Sequence, residues 1–261
     1  MIDTHSHLFE EDFKDDLEDC IARSIANNVK KIILVGFSLE TNQLVLEISN
    51  KYNIFYPTYG LHPSEATKNY YNDFLKFKEF INDKRLYAIG ECGLDYHYGI
   101  DNKEEQKQLF ILQCNLAIEL NLPIIVHSRD ADLDTYNIIK SFNGKLKGVM
   151  HCYSGSLEMA NEYIKLGFYI SLGGPVTFKN ARVPKLVAKN IPIDRLLIET
   201  DCPFLAPTPF RGKRNESSYI KYICEEIANL RECTLLDIDN ATSQNAINLF
   251  GLEWLQWNLK I

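Results

Sequence analysis

No apolar run in this sequence approaches the about 20 residues that a helix needs to cross a bilayer, so no transmembrane helix is expected. The amino terminus lacks the basic and apolar segments of a signal peptide, since polar and charged residues begin at Asp3 and Thr4, so no secretory leader is expected. The cysteines nowhere stand in a C-x-x-C spacing, and their number, seven, is odd. That argues against a disulfide framework and for reduced thiols in a cytoplasmic protein. A basic excess is missing too. The formal net charge of −7 argues against a general, non-specific nucleic-acid binder and leaves room for a nucleic-acid enzyme with a local basic patch. Internal repeats, low-complexity segments and linkers are absent. With 261 residues and 46% hydrophobic content, one domain over residues 1–261 is expected.

Lysine and arginine are also absent from residues 86–96, LYAIGECGLDY, and there the absence matters most. The stretch opens as a strand and is expected to end in a turn, with Glu91 between Gly90 and Gly93 and with Asp95 just beyond. A carboxylate directly after a buried strand is costly unless something cationic meets it. A metal ion is one answer; a turn whose acids face water is the other. The segment alone does not choose between them.

The rest of the chain alternates strand and helix patterns. Strands are expected at 1–4, 30–37, 54–60, 86–90, 123–128, 147–152, 168–172 and 196–200. Helices are expected at 11–28, where Phe13, Leu17, Ile21 and Ile25 recur every four residues, and at 39–50, 73–82, 103–120, 132–142, 157–166 and 183–190. Two more, 216–230 and 240–249, would complete the outer ring. The loop 202–215 holds three of the nine prolines and should be stiff. This alternation points to an α/β fold of the (β/α)₈ TIM-barrel type.

On that map all six histidines lie at or beyond the C-terminal end of a strand: His5, His7, His62, His97, His127 and His151. In such a barrel those ends gather at one mouth, where active sites sit. A lone strand-end histidine is ordinarily a hydrogen-bonding residue; six at one end, joined by Glu91 and Asp201, favour a metal site. Strand alternation puts His5 and His7 on the same side. Asp3 and Glu199 share the parity of His5 and Asp201 one layer deeper, as acids that orient ligands would. His5, His7, His127 and His151 with two carboxylates exceed the needs of one tetrahedral ion. They fit two divalent ions bridged by Glu91, the identity among magnesium, manganese and zinc staying open. Two such ions clamp the attacking and leaving oxygens of a displacement. Asp201 would bind one and take a proton from the attacking water.

Several residues have plainer readings. Cys92, Cys152 and Cys202 each follow a proposed ligand by one position, and alternation turns them toward the helix layer as small buried hydrophobes. His97 suits a rim position as well as a substrate contact. Lys30, Lys31, Lys145 and Lys147 lie at strand starts, on the opposite face of the barrel. Arg129, Arg211, Lys213 and Arg214 sit in loops at the mouth, where solvated charge competes with substrate contact for Lys213 and Arg214.

The motifs MIDTHSHL, GLHP, GECGLDY, PIIVHSRDA, HCYSGS, LLIETDCPFLAP, RGKRNE and NAINLFGL, in this order and spacing, resemble the TatD family of metal-dependent deoxyribonucleases over nearly the whole chain. The resemblance implies a TIM-barrel metal-dependent hydrolase, with 3′-to-5′ exonuclease action on DNA as its best-known activity. Carried over by motif, His5, His7, Glu91 and Asp201 resemble the ligands of one metal, and Glu91, His127 and His151 those of the other. His62 of the GLHP motif resembles a substrate-side residue and proton donor. Ser217 stands where family members usually carry proline, which bears on the start of the last barrel helix. For an acidic chain, DNA binding must come from the metals and a few mouth cations, Arg211 first and Arg129 next, and single-stranded ends should enter most easily. A hydrolase of an amide or ester bond, such as an aminoacyl-tRNA ester, is the alternative on the same site. A barrel that has lost catalysis is disfavoured because every ligand position is filled.

Overall fold

Eight short strands follow one another round the molecule: β1 Ile2–Ser6, β2 Lys31–Val35, β3 Phe55–Thr58, β4 Ile89–Asp95, β5 Ile124–Arg129, β6 Gly148–Met150, β7 Tyr169–Leu172 and β8 Leu196–Ile198. This computed structural model describes residues 1–9, 11–97, 99 and 101–252; residues 253–261, included in the single-domain reading, lie outside the described residues. All strand pairs are parallel and join sequence neighbours, β1 to β3 in one ladder and β4 to β8 in another. The two ladders meet through single parallel bridges, Tyr59 with Ile89 and Ser6 with Cys202. At the second of these, Asp201 N donates to His5 O (2.9 Å) and His7 N to Cys202 O (2.8 Å). The fold is the expected (β/α)₈ barrel.

Helices α1 Leu17–Ala26, α2 Leu39–Lys51, α3 Tyr70–Ile81, α4 Lys103–Glu119, α5 Asp132–Ser141, α6 Leu157–Lys165, α7 Arg182–Asn190, α8 Ile220–Arg231 and α9 Leu235–Phe250 alternate with or follow the strands. Alternation on each strand divides the core. Ile32 and Leu34 of β2 belong to a large cluster shared with helix residues such as Val45, Phe77, Phe110 and Ile223. Ile33 and Val35 face the other way, into a second cluster with Ile125, Val149 and Leu197.

That second cluster also contains Ala246, Ile247, Leu249 and Phe250 of α9. The α-amino group of Met1 pairs with Asp239 (3.0 Å), and Asn245 Nδ2 donates to Leu196 O (2.8 Å). So α9 closes the end of the barrel where strands begin, instead of joining the outer ring as its sequence suggested. It starts at Leu235 because Thr234 and Asp237 form a capping box, and Gly251, at φ 65°, ends it in the left-handed region.

The other departure bears on the site. β4 does not stop at Gly90; it runs on to Asp95, so Glu91 sits within a strand and not in a turn. Gly90 (φ +135°) and Gly93 (φ +138°) adopt backbone conformations closed to other residues, and a Cβ at Gly93 would lie 2.0 Å from His127 O. The glycines press β4 against β5 where a turn was expected. At the chain's start, residues 11–28 divide into a 3₁₀ turn, Glu11–Phe13, and α1. Arg214 holds the intervening loop through both oxygens of Asp16 (2.8 and 2.6 Å), with its guanidinium over the Phe13 ring. Arg214 is thus a half-buried charge paired with Asp16 and not a free loop cation. Ser217 opens α8 with a 3₁₀ turn, Ser217–Tyr219, and its hydroxyl donates to Asp3 Oδ2 (2.6 Å).

Amide side chains brace the loops that carry the site. From α4, Gln113 accepts from Leu61 N and donates to Leu61 O, both at 2.8 Å, next to His62. Gln106, two turns earlier, holds Asp95 N and O in the same way, both at 2.9 Å. Gln113 is fully buried. Gln113→Leu should therefore strand two backbone groups and lower stability by about 2–5 kcal/mol. Urea denaturation with an unchanged m value checks this; a loss under about 0.5 kcal/mol would show that water replaces the clamp.

Candidate metal centre

His5 and His7 leave β1 on one side of the strand, as alternation requires, and their Nε2 atoms lie 3.2 Å apart. The Nδ1 of His7 is 2.8 Å from Val35 O. A carbonyl only accepts, so His7 carries its proton on Nδ1 and presents a lone pair at Nε2. That nitrogen is 3.5 Å from Asp201 Oδ1 and 3.7 Å from Glu91 Oε2. His5 Nε2 is 3.4 Å from Glu91 Oε2 and 3.8 Å from Asp201 Oδ1. Asp201 stands just past β8 at φ 56°, a left-handed conformation that aspartate tolerates better than most residues.

The other oxygen of Glu91 serves a second set. Oε1 is 3.0 Å from His127 Nδ1 and 3.1 Å from His151 Nε2. The outer nitrogens of both rings face carboxylates: His151 Nδ1 meets Glu199 Oε1 at 3.1 Å, and His127 Nε2 meets Asp95 Oδ2 at 3.2 Å. If those nitrogens donate, the inner ones turn lone pairs toward Glu91 Oε1. Acceptors about 3 Å apart repel unless a cation lies between them, and one divalent ion answers both contacts. The donor atoms of His5, His7 and Asp201, and those of Glu91, His127 and His151, each lie within 4.8 Å of one another. Imidazole nitrogens and carboxylate oxygens converging in this way fit divalent cations.

Electrostatics lead to the same demand. Burial alone would raise the carboxyl of Glu91, which is 5% exposed, yet the charge of His151 and hydrogen bonds from His127, His151 and His5 hold it well below its usual range. Burial likewise opposes the ionisation of Asp201, and the His7 contact with the charges of His151 and His5 outweighs it. For His151, burial disfavours the charged ring, but Glu91 and Glu199 push its pKa well up. The acids stay ionised because positive charge sits beside them, on a protonated His151 or, with that ring neutral, on a divalent ion between the donors. His62 differs: burial brings its pKa down to about 4, so the ring is neutral. Ser64 N donates to its Nδ1 (3.1 Å), which leaves the proton on Nε2, 3.9 Å from Glu91 Oε1.

The structure thus brings His5, His7, His62, Glu91, His127, His151 and Asp201 into one cluster. Arg129 lies on the wall of a cavity of about 490 Å³ that also includes His127, His151 and Asp201. Arg211 is not on that wall; its guanidinium lies 4.3 Å from the centre of the Phe178 ring. His97 stays at the rim, with Nδ1 3.0 Å from Asp130. Of the two deeper acids, Glu199 touches a ligand ring, whereas Asp3 touches none. Asp3 accepts from Thr200 N (2.9 Å), Thr200 Oγ1 (2.6 Å) and Ser217, and tethers the end of β8.

Cys152 corrects the parity argument. β6 ends at Met150, and Cys152 adopts φ 44°, which turns it onto the cavity wall instead of into the helix layer. Cys92 and Cys202 do face away, toward Ile125 O and Ser217. Asp95 was not among the expected site residues. It has the parity of Glu91 four positions on, a signal that disappears once the strand is ended at Gly90. The phenyl rings of Phe9, Phe37 and Phe204 also surround His7, at 5.7, 5.5 and 6.3 Å between ring centres.

Comparison with known proteins places these residues in context. The sequence pattern of the family described as TatD related DNase matches residues 2–251. YabD of Bacillus subtilis (strain 168), named an uncharacterized metal-dependent hydrolase, is 49% identical over 97% of this chain and 99% of its own. A protein of Escherichia fergusonii named 3′-5′ ssDNA/RNA exonuclease TatD is 30% identical over 97% of this chain and 100% of its own. The crystal structure of YJJV, a TatD homolog from Escherichia coli K12, superposes with a TM-score of 0.91 at 30% identity, covering 97% of this chain and 98% of that one.

Metal binding should be visible in stability. Saturating manganese or zinc should raise the thermal midpoint of chelator-treated protein, since a ligand at about 1,000 times its Kd adds about 4 kcal/mol. Glu91→Ala removes an oxygen from both donor sets and should abolish most of that rise in calorimetry. A full rise in the variant would remove Glu91 from the shared position.

Proposed function

The chain belongs to the TatD family of metal-dependent hydrolases, and from that premise we propose that it is a two-metal exonuclease acting on single-stranded DNA ends. The carrying observation is Glu91, whose two oxygens each face a separate set of histidines. Divalent ions held by His5, His7, Glu91 and Asp201 on one side, and by Glu91, His127 and His151 on the other, would supply Lewis acidity to a phosphodiester and acidify water. The chain's own groups do the rest. Asp201, kept ionised beside His7, accepts the proton of the attacking water. Neutral His62, with its proton on Nε2, donates toward the reacting phosphate. Arg129 on the cavity wall offers a planar fork for phosphate oxygens.

Nucleic acid as substrate is supported by the exonuclease name of the Escherichia fergusonii relative. Ends are favoured over internal sites because the metal cluster is recessed, with Glu91 and His5 almost wholly buried. A free strand reaches that depth more readily than a duplex does. With −7 overall, attraction must be local, which assigns Arg211 to a phosphate beyond the cavity, near Phe178.

A chelator should abolish hydrolysis and leave the barrel folded. Asp201→Asn should lower turnover by roughly 100-fold. Near-normal turnover of this variant with metal still bound would take Asp201 out of the proton-accepting role. A panel of linear and circular single-stranded DNA, duplex DNA, RNA and aminoacyl-tRNA tests the substrate class. Equal cutting of circles and linear strands, or hydrolysis of the aminoacyl ester alone, would overturn the exonuclease reading. Arg211→Ala should raise KM severalfold and flatten the salt dependence of binding by about one phosphate contact. Unaltered KM and salt slope would remove Arg211 from the DNA path.

A further inference from the structure

The metal cluster lies between two recesses of opposite character. On the side of β3 and β4, a recess of about 340 Å³ is lined by His62, Ser64, Asp95, Asp101, Asn102 and Gln106. It is polar and carries acids, a poor place for an apolar ring or a second phosphate. On the side of β6, β7 and β8, the cavity of about 490 Å³ has walls of Tyr153, Leu172, Pro175, Val176, Phe204 and Leu205 beside the ligands His151 and Asp201. Its size falls within the roughly 300–1,000 Å³ of sites that enclose small organic groups.

Apart from Arg129 on its wall, phosphodiester chemistry at the metals makes no use of this largely apolar chamber. Nor do the surrounding side chains fill it. Phe204 is 53% exposed although its ring centre lies only 6.3 Å from that of His7. Asn215 Nδ2 donates to Phe204 O (2.7 Å) and Asp201 O accepts from Phe204 N (2.9 Å), so the backbone that presents this ring is fixed while the ring itself is bare. An exposed aromatic on anchored backbone beside a reacting centre is a surface on which a base of a single strand stacks.

Resting on the exonuclease reading, we infer that this cavity receives the base of the terminal nucleotide, with Phe204 as its stacking surface at the entrance. The terminal base enters the apolar side, its phosphodiester lies over the metal cluster, and the strand leaves past the rim. The pocket would then act as a register stop, setting the cut one nucleotide from the end. Every base has an apolar face, so the pocket recognises a base without naming its sequence.

The test compares metal-loaded enzyme on single-stranded oligonucleotides whose terminal residue either carries a purine or is a stable sugar without a base. Wild-type enzyme should show about tenfold lower KM for the base-bearing end, as expected for one stacked base. Phe204→Ala should collapse that preference, bringing the base-bearing end to the level of the baseless one, with metal content unchanged. Ser154→Trp, at the exposed rim of the cavity, should narrow it and penalise the purine end more than the baseless end. In the slow Asp201→Asn background, 2-aminopurine at the terminal position should lose fluorescence on binding, and Phe204→Ala should restore it. Equal KM for both ends, with Phe204→Ala raising both alike, would overturn the base pocket and leave the exonuclease reading intact. If no oligonucleotide end were hydrolysed at all, the exonuclease reading would fall, and the pocket assignment with it.

Discussion

An ionised carboxylate buried with no lysine or arginine salt bridge among the described residues is the constraint on which the rest of this molecule depends. Glu91 is that group, and all its close cationic or hydrogen-bonding partners at the cluster are histidines. Imidazoles can serve as metal ligands only if each ring is held in one orientation and one tautomer. The fold provides this from behind: Val35 O holds His7, Glu199 faces the outer nitrogen of His151, and Asp95 faces that of His127. Each anchor comes from a different strand, so the geometry of the cluster is the geometry of the barrel mouth. The exception is His5, whose Nδ1 is buried without a hydrogen-bond partner. Packing holds it instead, with its ring stacked on that of His151 at 3.8 Å between centres.

Irregular backbone at the mouth creates a second problem, since buried N–H and C=O groups there have no ladder to join. Amide side chains solve it repeatedly. Gln113 and Gln106 of α4 pair with both backbone groups of Leu61 and Asp95, and Asn42 of α2 does the same for Gly60. Asn215 donates to Thr200 O and Phe204 O, across the segment that carries Asp201. They act through the backbone they hold. They give backbone at the mouth fixed partners, as a site that aligns several donor atoms requires.

Much of this was legible in the sequence because barrel mouths obey simple rules. Alternating strand and helix patterns gave the architecture, and the histidines at strand ends, His97 excepted, picked out residues that the structure gathers. The failures share a physical origin. Gly90 and Gly93 look like turn residues, yet they lie within a strand because only glycine permits β5 to come so close, and ending the strand early hid the parity of Asp95 with Glu91. Cys152 defeated alternation because alternation stops where β6 stops, two residues before it. α9 looked like one more outer helix, since amphipathic spacing does not say which surface a helix meets. Its buried polar residues, Asp239 with the chain's amino group and Asn245 with the start of β8, were the clue that it faces the barrel floor.

The distribution of charge explains why apolar surface belongs at such a site. Several basic residues near the mouth are already committed: Arg214 and Arg23 to Asp16 and Glu216, and Lys103 and Lys107 to Asp134. Their fields are cancelled at short range, and over longer distances the net charge of −7 opposes a polyanion. An anionic substrate then gains little from diffusion through the protein's field and must gain its affinity on contact. Contact affinity comes from two sources that salt and net charge scarcely weaken, metal ions in a recessed cluster and apolar faces that shed water. The second is what the exposed Phe204 ring and the largely apolar cavity beside His151 and Asp201 provide. On the proposed exonuclease reading, free phosphate or an isolated hydrophobe should gain far less at this mouth than the two joined in one strand.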